Sequence, residues 1–156
     1  MPRGPRLILD NVCYHIISRG NQKQRIFNSN NDFEKYLRLI SKYKAKYEFK
    51  IYGWCLMGNH VHMLLESAKL SKVMHAISLS YAQYFKFKYN KTGHFWQDRY
   101  KSFVIQKDEY LINCITYLEY NPVRANIVAR PEDYRWSSYG ARILGKSNGL
   151  LDNFTL

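Results

Sequence analysis

The stretch of sequence that decides the fold is KIYGWCLMGNHVHMLLE, which spans residues 50–66. Residues 50–57 and residues 60–66 are rich in aliphatic and aromatic side chains, so each is predicted to form a strand. Gly58-Asn59 lies between them and is a two-residue hairpin signal. The sequence therefore predicts two antiparallel strands joined by a tight turn.

On the N-terminal side of this hairpin, the pattern predicts one strand and one helix. Residues 1–10 have the character of an extended arm, and the alternation over residues 13–18 predicts a strand. Helical spacing of apolar side chains then predicts a helix over residues 32–47. Asn31 and Glu34 are placed as a capping box, so we expect them to start this helix.

On the C-terminal side, the pattern predicts a helix, a strand and a second helix. The apolar stripe over residues 70–89 predicts the first helix, and residues 100–106 read as the strand. Asp108 is a suitable N-cap for the second helix, which is expected to end near Tyr120 because Pro122 disfavours helical backbone at the residue before it.

The element order is strand, helix, strand, strand, helix, strand, helix. This order predicts an α+β fold of the ferredoxin-like type, with an antiparallel four-stranded sheet, two packed helices and an added C-terminal helix. One domain is expected over residues 1–156, with its core at about 8–140 and a tail at 141–156. From Pro131 onward the chain is polar and irregular, with Trp136 and Tyr139 as its expected anchors.

The composition favours a polyanionic partner. The 156 residues carry 24 Lys and Arg against 12 Asp and Glu, for a net charge of +12. Aromatic residues make up 16% of the chain and 14 of them are Tyr, a combination with basic residues that suits phosphates and bases. No apolar run approaches the roughly 18–20 residues of a membrane span, and no signal peptide is evident. A nucleic acid is therefore favoured over a membrane surface, and a functionally neutral basic surface is the alternative.

The cysteines indicate a reducing compartment. Cys13, Cys55 and Cys114 lie far apart and form no C-x-x-C pair, which excludes a zinc-finger framework and disfavours disulfides. A cytoplasmic protein fits this pattern best.

The histidine pair in the second strand of the hairpin is a candidate metal site. Alternate side chains of a strand share a face, so His60 and His62 point the same way, roughly 7 Å apart at their Cα atoms. Two imidazoles at this spacing can bind one divalent ion. The alternative is a pair of half-buried residues on a solvated sheet face. The hairpin register also places Cys55 opposite His62, either as a ligand or as a small core residue.

The last predicted helix carries a tyrosine in a polar setting. Its buried face is expected at Leu111, Ile115 and Leu118. Tyr117 lies to one side of that face, with Asn113 and Asn121 four residues before and after it. Tyrosine can act as a covalent nucleophile, and the alternative is an ordinary residue at the edge of a core. Asn121 can either bind a metal or cap the turn that begins at Pro122.

Together these motifs resemble a known family. His60-Val61-His62 resembles the metal motif of the HUH single-strand endonucleases, and Tyr117-x-x-x-Asn121-Pro122-Val123-Arg124-Ala125 resembles the nucleophile helix of the single-tyrosine transposases, closest to the REP-associated branch. The resemblance covers about residues 8–140. Three flanking stretches agree with it, namely Ser18-Arg19-Gly20-Asn21, Met57-Gly58-Asn59 and Phe95-Trp96-Gln97-Asp98-Arg99-Tyr100-Lys101-Ser102.

The resemblance implies a function and a set of site residues. It implies a bacterial or archaeal transposase that cleaves and rejoins single-stranded DNA at hairpin-associated sites, through a 5′-phosphotyrosine at Tyr117. It implies Mg or Mn at His60 and His62, with Asn121 as the third ligand where some relatives have Gln. It also implies either a monomer or a homodimer that exchanges the tyrosine helix.

Four basic residues are candidates for binding the DNA backbone, with a solvated surface as the alternative for each: Arg19, Arg99, Lys101 and Arg124. Two other functions remain open at this stage. One is a non-catalytic module that binds single-stranded DNA or RNA, since ferredoxin-like sheets with exposed aromatic residues also do so. The other is an inactive relative that binds DNA without cutting it.

Overall fold

A computed structural model describes residues 12–146 and 149–152. The predicted arm over residues 1–10 lies outside the described residues. The strands are β1 Cys13–Arg19, β2 Lys50–Leu56, β3 His60–Glu66 and β4 Lys101–Ile105. The helices are α1 Asn30–Tyr47, α2 Leu70–Tyr89, α3 Glu109–Glu119, α4 Asn121–Arg124 and α5 Tyr139–Arg142, with 3-10 turns at Asn21–Lys23 and Pro131–Asp133.

The four strands form one antiparallel sheet in the order β2-β3-β1-β4, so the predicted ferredoxin-like architecture is confirmed. Met57 N–H donates to His60 O at 2.8 Å, which closes the predicted two-residue hairpin. Alternation along the strands gives the sheet two faces. One face packs with α1 and α2 in the main core, and the other carries a smaller core with α3.

The start of α1 differs from the prediction. Its N-cap is Ser29, and the carboxylate of Asp32 accepts hydrogen bonds from the N–H groups of Asn28 at 2.8 Å and Ser29 at 3.2 Å. The capping box predicted at Asn31 and Glu34 is therefore wrong. The carboxylate of Asp32 caps the helix and also accepts hydrogen bonds from residues of α2.

Asp32 is fully buried and links the two helices. Its carboxylate accepts hydrogen bonds from Tyr84 at 2.8 Å and Tyr89 at 2.5 Å, and Lys88 forms an ion pair with it at 2.7 Å. Burial alone would raise the pKa of Asp32, but the hydrogen bonds from Lys88, Tyr89, Asn28 and Tyr84 together lower it to about 2.

Asp32→Ala is expected to lower the free energy of unfolding by about 3 kcal/mol, because it leaves the partners of a buried carboxylate unpaired. The folded pKa lies below that of an unfolded chain, about 3.9. The contribution of Asp32 is thus present above about pH 4 and is lost as the pH falls toward 2. Urea titrations at pH 7 and pH 3 measure this, and the difference between parent and variant should shrink at pH 3. An equal difference at both pH values would contradict it.

The C-terminal segment is more ordered than the sequence predicts. Leu56 N–H donates to Trp136 O and Ser138 N–H donates to Trp54 O, both at 2.8 Å, so this segment covers the free edge of β2. Asp152 N–H extends the cover by donating to Ile51 O at 2.8 Å. Trp136 is buried, as an anchor should be, and the segment is largely irregular, as predicted. Its backbone nevertheless completes the hydrogen bonding of an edge strand, which the sequence did not predict.

A buried carboxylate joins this segment to α3. Glu119 has no exposed surface, and its carboxylate accepts hydrogen bonds from Ser138 Oγ and from the guanidinium of Arg142. The end of the helix that carries Tyr117 is thereby fixed to the edge of its own sheet.

Candidate active site

The predicted histidine pair lies on the sheet face that also carries α3. His60 and His62 are two residues apart on β3, and their rings meet edge to face with centroids 4.9 Å apart. His62 is buried and His60 is half-buried. The two imidazoles therefore share a face, as the strand spacing predicts.

A third histidine, which the sequence reasoning missed, completes the cluster. His15 lies on β1, and its Nε2 is 3.0 Å from Nδ1 of His62, with the two rings stacked at 5.2 Å. Nδ1 of His60 is 2.6 Å from Oδ1 of Asn59. Each ring of the pair thus has a partner at Nδ1, and Nε2 is the nitrogen left for a ligand.

The surroundings keep these rings neutral. Burial, and then the charge of Arg19, lower the pKa of His60 to about 4. Burial is also the main cause that lowers the pKa of His62 to about 3, with contributions from the neighbouring His60 and His15 and from two arginines. Burial lowers the pKa of His15 as well. Neutral imidazole is the form that binds a metal.

The donor set suits part of a divalent metal site. His60 and His62 supply two convergent imidazoles, but the described residues hold no group of three or more His, Cys, Asp or Glu side chains placed to bind a metal. Cys55 lies opposite His62 as predicted, yet it is fully buried in the small core with α3, and burial raises the pKa of its thiol. This environment supports the core interpretation of Cys55.

Tyr117 projects from α3 away from the small core. Leu111, Ile115 and Leu118 are fully buried, whereas the side chain of Tyr117 is 56% exposed, so the predicted faces of this helix are confirmed. The guanidinium carbon of Arg124 lies 3.8 Å from the centroid of the Tyr117 ring, and Nη2 of Arg124 donates to Tyr117 O at 2.7 Å. The phenol of Tyr117 is therefore accessible to solvent, and the guanidinium of Arg124 stacks on its ring.

The tyrosine helix lies on the same side of the sheet as the histidines, because α3 packs against Cys55 and Leu64, which share a face with His62. The charge of Arg124 is the last of the causes that lower the pKa of His62. Asn121 is the half-buried first residue of α4, and no side-chain hydrogen bond caps this helix. The capping alternative for Asn121 is thus wrong, and a role in metal binding stays a prediction.

Three of the four predicted DNA-binding residues lie together. Arg19, Arg99 and Lys101 line one cavity of about 220 Å³ at the edge of the sheet, which we call the basic cavity. Arg124 lies apart from them, against Tyr117. The structure therefore divides the predicted cations between a cavity that suits a phosphate and a contact with the tyrosine.

Lys101→Ala and Arg19→Ala are each expected to weaken binding of a DNA hairpin with single-stranded arms and to reduce its dependence on salt. Each lost phosphate contact should lower the slope of log K against log salt by about 0.7. Titrations at several salt concentrations measure this. Lys46→Ala, at an exposed position of α1, is the matched control, and an equal change in its slope would show that the effect is only one of net charge.

The fold and this site define the class of protein, a ferredoxin-like α+β domain that presents a histidine pair beside a tyrosine helix. The chain belongs to the IS200-like transposase family, whose model matches residues 8–121. The family resemblance that the motifs carry is thus confirmed. None of the described helices combines the length and the apolar character that a membrane crossing requires.

Two relatives refine this placement. A Haemophilus influenzae protein whose name places it among the REP-associated tyrosine transposases is 28% identical over 108 residues. The match spans 60% of this chain and 60% of that protein. A solved structure of a REP-associated tyrosine transposase bound to a REP hairpin superposes with a TM-score of 0.76 at 17% identity, over 99% of this chain and 96% of the other. This likeness shows that the two chains share a fold.

Proposed function

We propose that this chain is a transposase that cleaves and rejoins single-stranded DNA beside a hairpin, with Tyr117 as the nucleophile. The observation that carries the proposal is the exposed phenol of Tyr117, in contact with Arg124, on a helix that packs against the sheet face carrying the histidines. An accessible nucleophile, a cation and two imidazoles that can bind a metal are groups that can catalyse phosphoryl transfer.

In the proposed reaction, Oη of Tyr117 attacks a backbone phosphorus. The bond from phosphorus to the tyrosine oxygen forms, the bond to the 3′ oxygen breaks, and the phenol loses its proton while the 3′ oxygen gains one. The 5′ phosphate stays on Tyr117 and is available for rejoining. Arg19, which pairs with His60 between β1 and β3, and Arg124, which lies on the Tyr117 ring, are the cations available to offset negative charge in this reaction.

His60 and His62 would hold a divalent metal in this proposal, Mg or Mn, with Asn121 as the candidate third ligand. When bound, the metal supplies a Lewis acid for the phosphate. The protein holds His60 through Asn59 and His62 through His15, so both rings are oriented before any ligand arrives.

Two kinds of observation support single-stranded DNA beside a hairpin as the substrate. The net charge of +12 and the basic cavity favour a polyanion, and Phe103 and Tyr117 expose aromatic rings for unpaired bases. The two relatives are named for REP elements, and one of them is bound to a REP hairpin. A cytoplasmic location belongs to the same proposal and is supported by three free cysteines.

A cleavage assay tests the function. End-labelled DNA hairpins with single-stranded arms are incubated with the protein, with Mn²⁺, with Mg²⁺ or with a chelator, and separated on denaturing gels. The expected result is a cut strand and a covalent protein–DNA adduct that require the metal. Hairpins that are bound but never cut would reject the proposal in favour of a non-catalytic binding module.

A further inference from the structure

Glu119 is the last residue of α3 and lies two residues beyond Tyr117. Because successive residues of a helix are about 100° apart, the two side chains lie on nearly opposite sides of α3. Glu119 has no exposed surface, whereas Tyr117 is 56% exposed. The rotation of the helix that buries Glu119 is therefore the rotation that presents the phenol of Tyr117 to solvent.

Two residues of the C-terminal segment bind the carboxylate of Glu119. Ser138 Oγ donates to its Oε2 at 2.5 Å, and Nε of Arg142 lies 3.1 Å from each of its two oxygens. Nη2 of Arg142 also donates to Oε1. The guanidinium thus binds through two nitrogen atoms, and such a pair fixes geometry as well as neutralising charge.

The Ser138 hydroxyl connects this carboxylate to the sheet. It accepts a hydrogen bond from Trp54 N–H at 3.0 Å while it donates to Glu119, and Ser138 N–H donates to Trp54 O at 2.8 Å. Ser138 is itself fully buried. A continuous chain of hydrogen bonds therefore runs from the backbone of β2 through Ser138 to the last turn of α3.

The helix lies very close to the sheet where these hydrogen bonds form. A Cβ atom at Gly53 of β2 would lie 3.3 Å from Cγ2 of Ile115 and 3.5 Å from Ser138 Oγ, so a side chain there would crowd α3. Apolar packing draws α3 onto the sheet, but the hydrophobic effect is non-directional. Hydrogen bonds depend on angle, so those of Glu119 add a directional constraint on the rotation of the helix.

The start of α3 is held by a more distant contact. Lys107, just before the helix, forms an ion pair with Glu66 of β3. This contact lies about three helical turns before Tyr117, whereas Glu119 lies within one turn of it. Glu119 therefore has the greater influence on where the phenol of Tyr117 lies.

We infer that Glu119 is a positioning residue for the reaction, and that through Ser138 and Arg142 it sets the rotation of α3 at which Tyr117 meets the DNA. This inference rests on the proposed function, in which Tyr117 is the nucleophile. Glu119 acts at a distance, since its carboxylate is fully buried and is bound by the two C-terminal side chains. Both of those side chains lie beyond residues 8–121, the part that the family model matches.

The test compares two fully buried carboxylates. Glu119→Gln keeps the size of the side chain and removes the charge that Arg142 binds, and Asp32→Asn does the same between α1 and α2. Both variants are expected to have a lower melting temperature. Only Glu119→Gln should slow formation of the Tyr117 adduct, by about tenfold to a hundredfold, because small errors in the placement of reacting groups cost this much. Single-turnover cleavage at saturating DNA and Mn²⁺, well below both melting temperatures, measures the rate.

Further measurements separate positioning from binding. The dissociation constant for the hairpin and the Mn²⁺ concentration that gives half the maximal rate should both stay parental in Glu119→Gln. Arg142→Lys keeps a cation beside Glu119, so it should recover part of the rate that Arg142→Ala loses. A variant that was merely less stable would show neither this rescue nor a slower rate at saturating DNA.

Adduct formation by Glu119→Gln at the parental rate, or an equal slowing in Asp32→Asn, would overturn the inference. If Glu119→Gln fails to fold, Ser138→Ala and Arg142→Ala decide the same question, and parental rates in both would overturn it. A parent protein that forms no adduct rejects the proposed function together with the inference. A parent that forms the adduct while the variants match its rate rejects the inference alone, so the two failures can be told apart.

Discussion

Tyr117→Phe is expected to abolish the covalent adduct between the protein and the 5′ end of cleaved DNA. The substitution removes one oxygen from a side chain that is 56% exposed, and it keeps the ring that stacks on Arg124. Folding should therefore be nearly unchanged, and hairpin binding should persist. Denaturing gels with end-labelled hairpins measure the adduct, and thermal unfolding verifies the fold.

The same helix supplies matched controls for this substitution. Tyr110 is 70% exposed and Tyr120 is 38% exposed, so Tyr110→Phe and Tyr120→Phe remove the same atom from accessible positions. Both variants should form the adduct at the parental rate. An adduct that persisted in Tyr117→Phe and vanished in either control would move the nucleophile to that residue.

His60→Ala and His62→Ala are each expected to slow metal-dependent cleavage by about a hundredfold or more, since a metal contributes several kcal/mol to stabilising charge in the transition state. Binding of the hairpin should largely remain, because neither histidine lines the basic cavity that contains Arg19 and Lys101. Single-turnover cleavage is measured at saturating DNA while the Mn²⁺ concentration is varied. This design distinguishes weaker metal binding from weaker DNA binding.

His15→Ala is the informative comparison for the pair. His15 contacts Nδ1 of His62 and so orients a proposed ligand, and loss of such a partner typically costs 10–100-fold in metal affinity or activity. A higher Mn²⁺ requirement with partial activity is therefore expected. Full Mn²⁺-dependent cleavage by a protein that lacks both His60 and His62 would remove the metal from this site.

Where the sequence prediction succeeded, local chemistry was sufficient. α2 begins at Leu70 and ends at Tyr89, as its apolar spacing predicts, because no Gly or Pro interrupts it and Asn90 takes the left-handed backbone that ends a helix. The hairpin and the shared face of His60 and His62 follow in the same way from a two-residue turn and the period of a strand.

Where the prediction failed, the deciding contact lies far away in the chain. Asp32, not Glu34, caps α1, and side chains on α2 also bind its carboxylate. His15 joins the histidine cluster because β1 pairs with β3. Alternation along β1 predicts which face of the sheet His15 lies on, but only the order of the strands shows that it lies beside His62. The predicted ferredoxin-like order places β1 beside β3, so this order was the signal that could have revealed His15.

The C-terminal segment that covers the edge of β2 determines what a C-terminal truncation is expected to do. Without the residues after Arg130, Glu119 would lose both Ser138 and Arg142, and the edge of β2 would be open to strands of other molecules. A chain shortened to the part that the family model matches is therefore expected to aggregate. The residues beyond that part are therefore expected to protect the chain from self-association by covering the edge of β2.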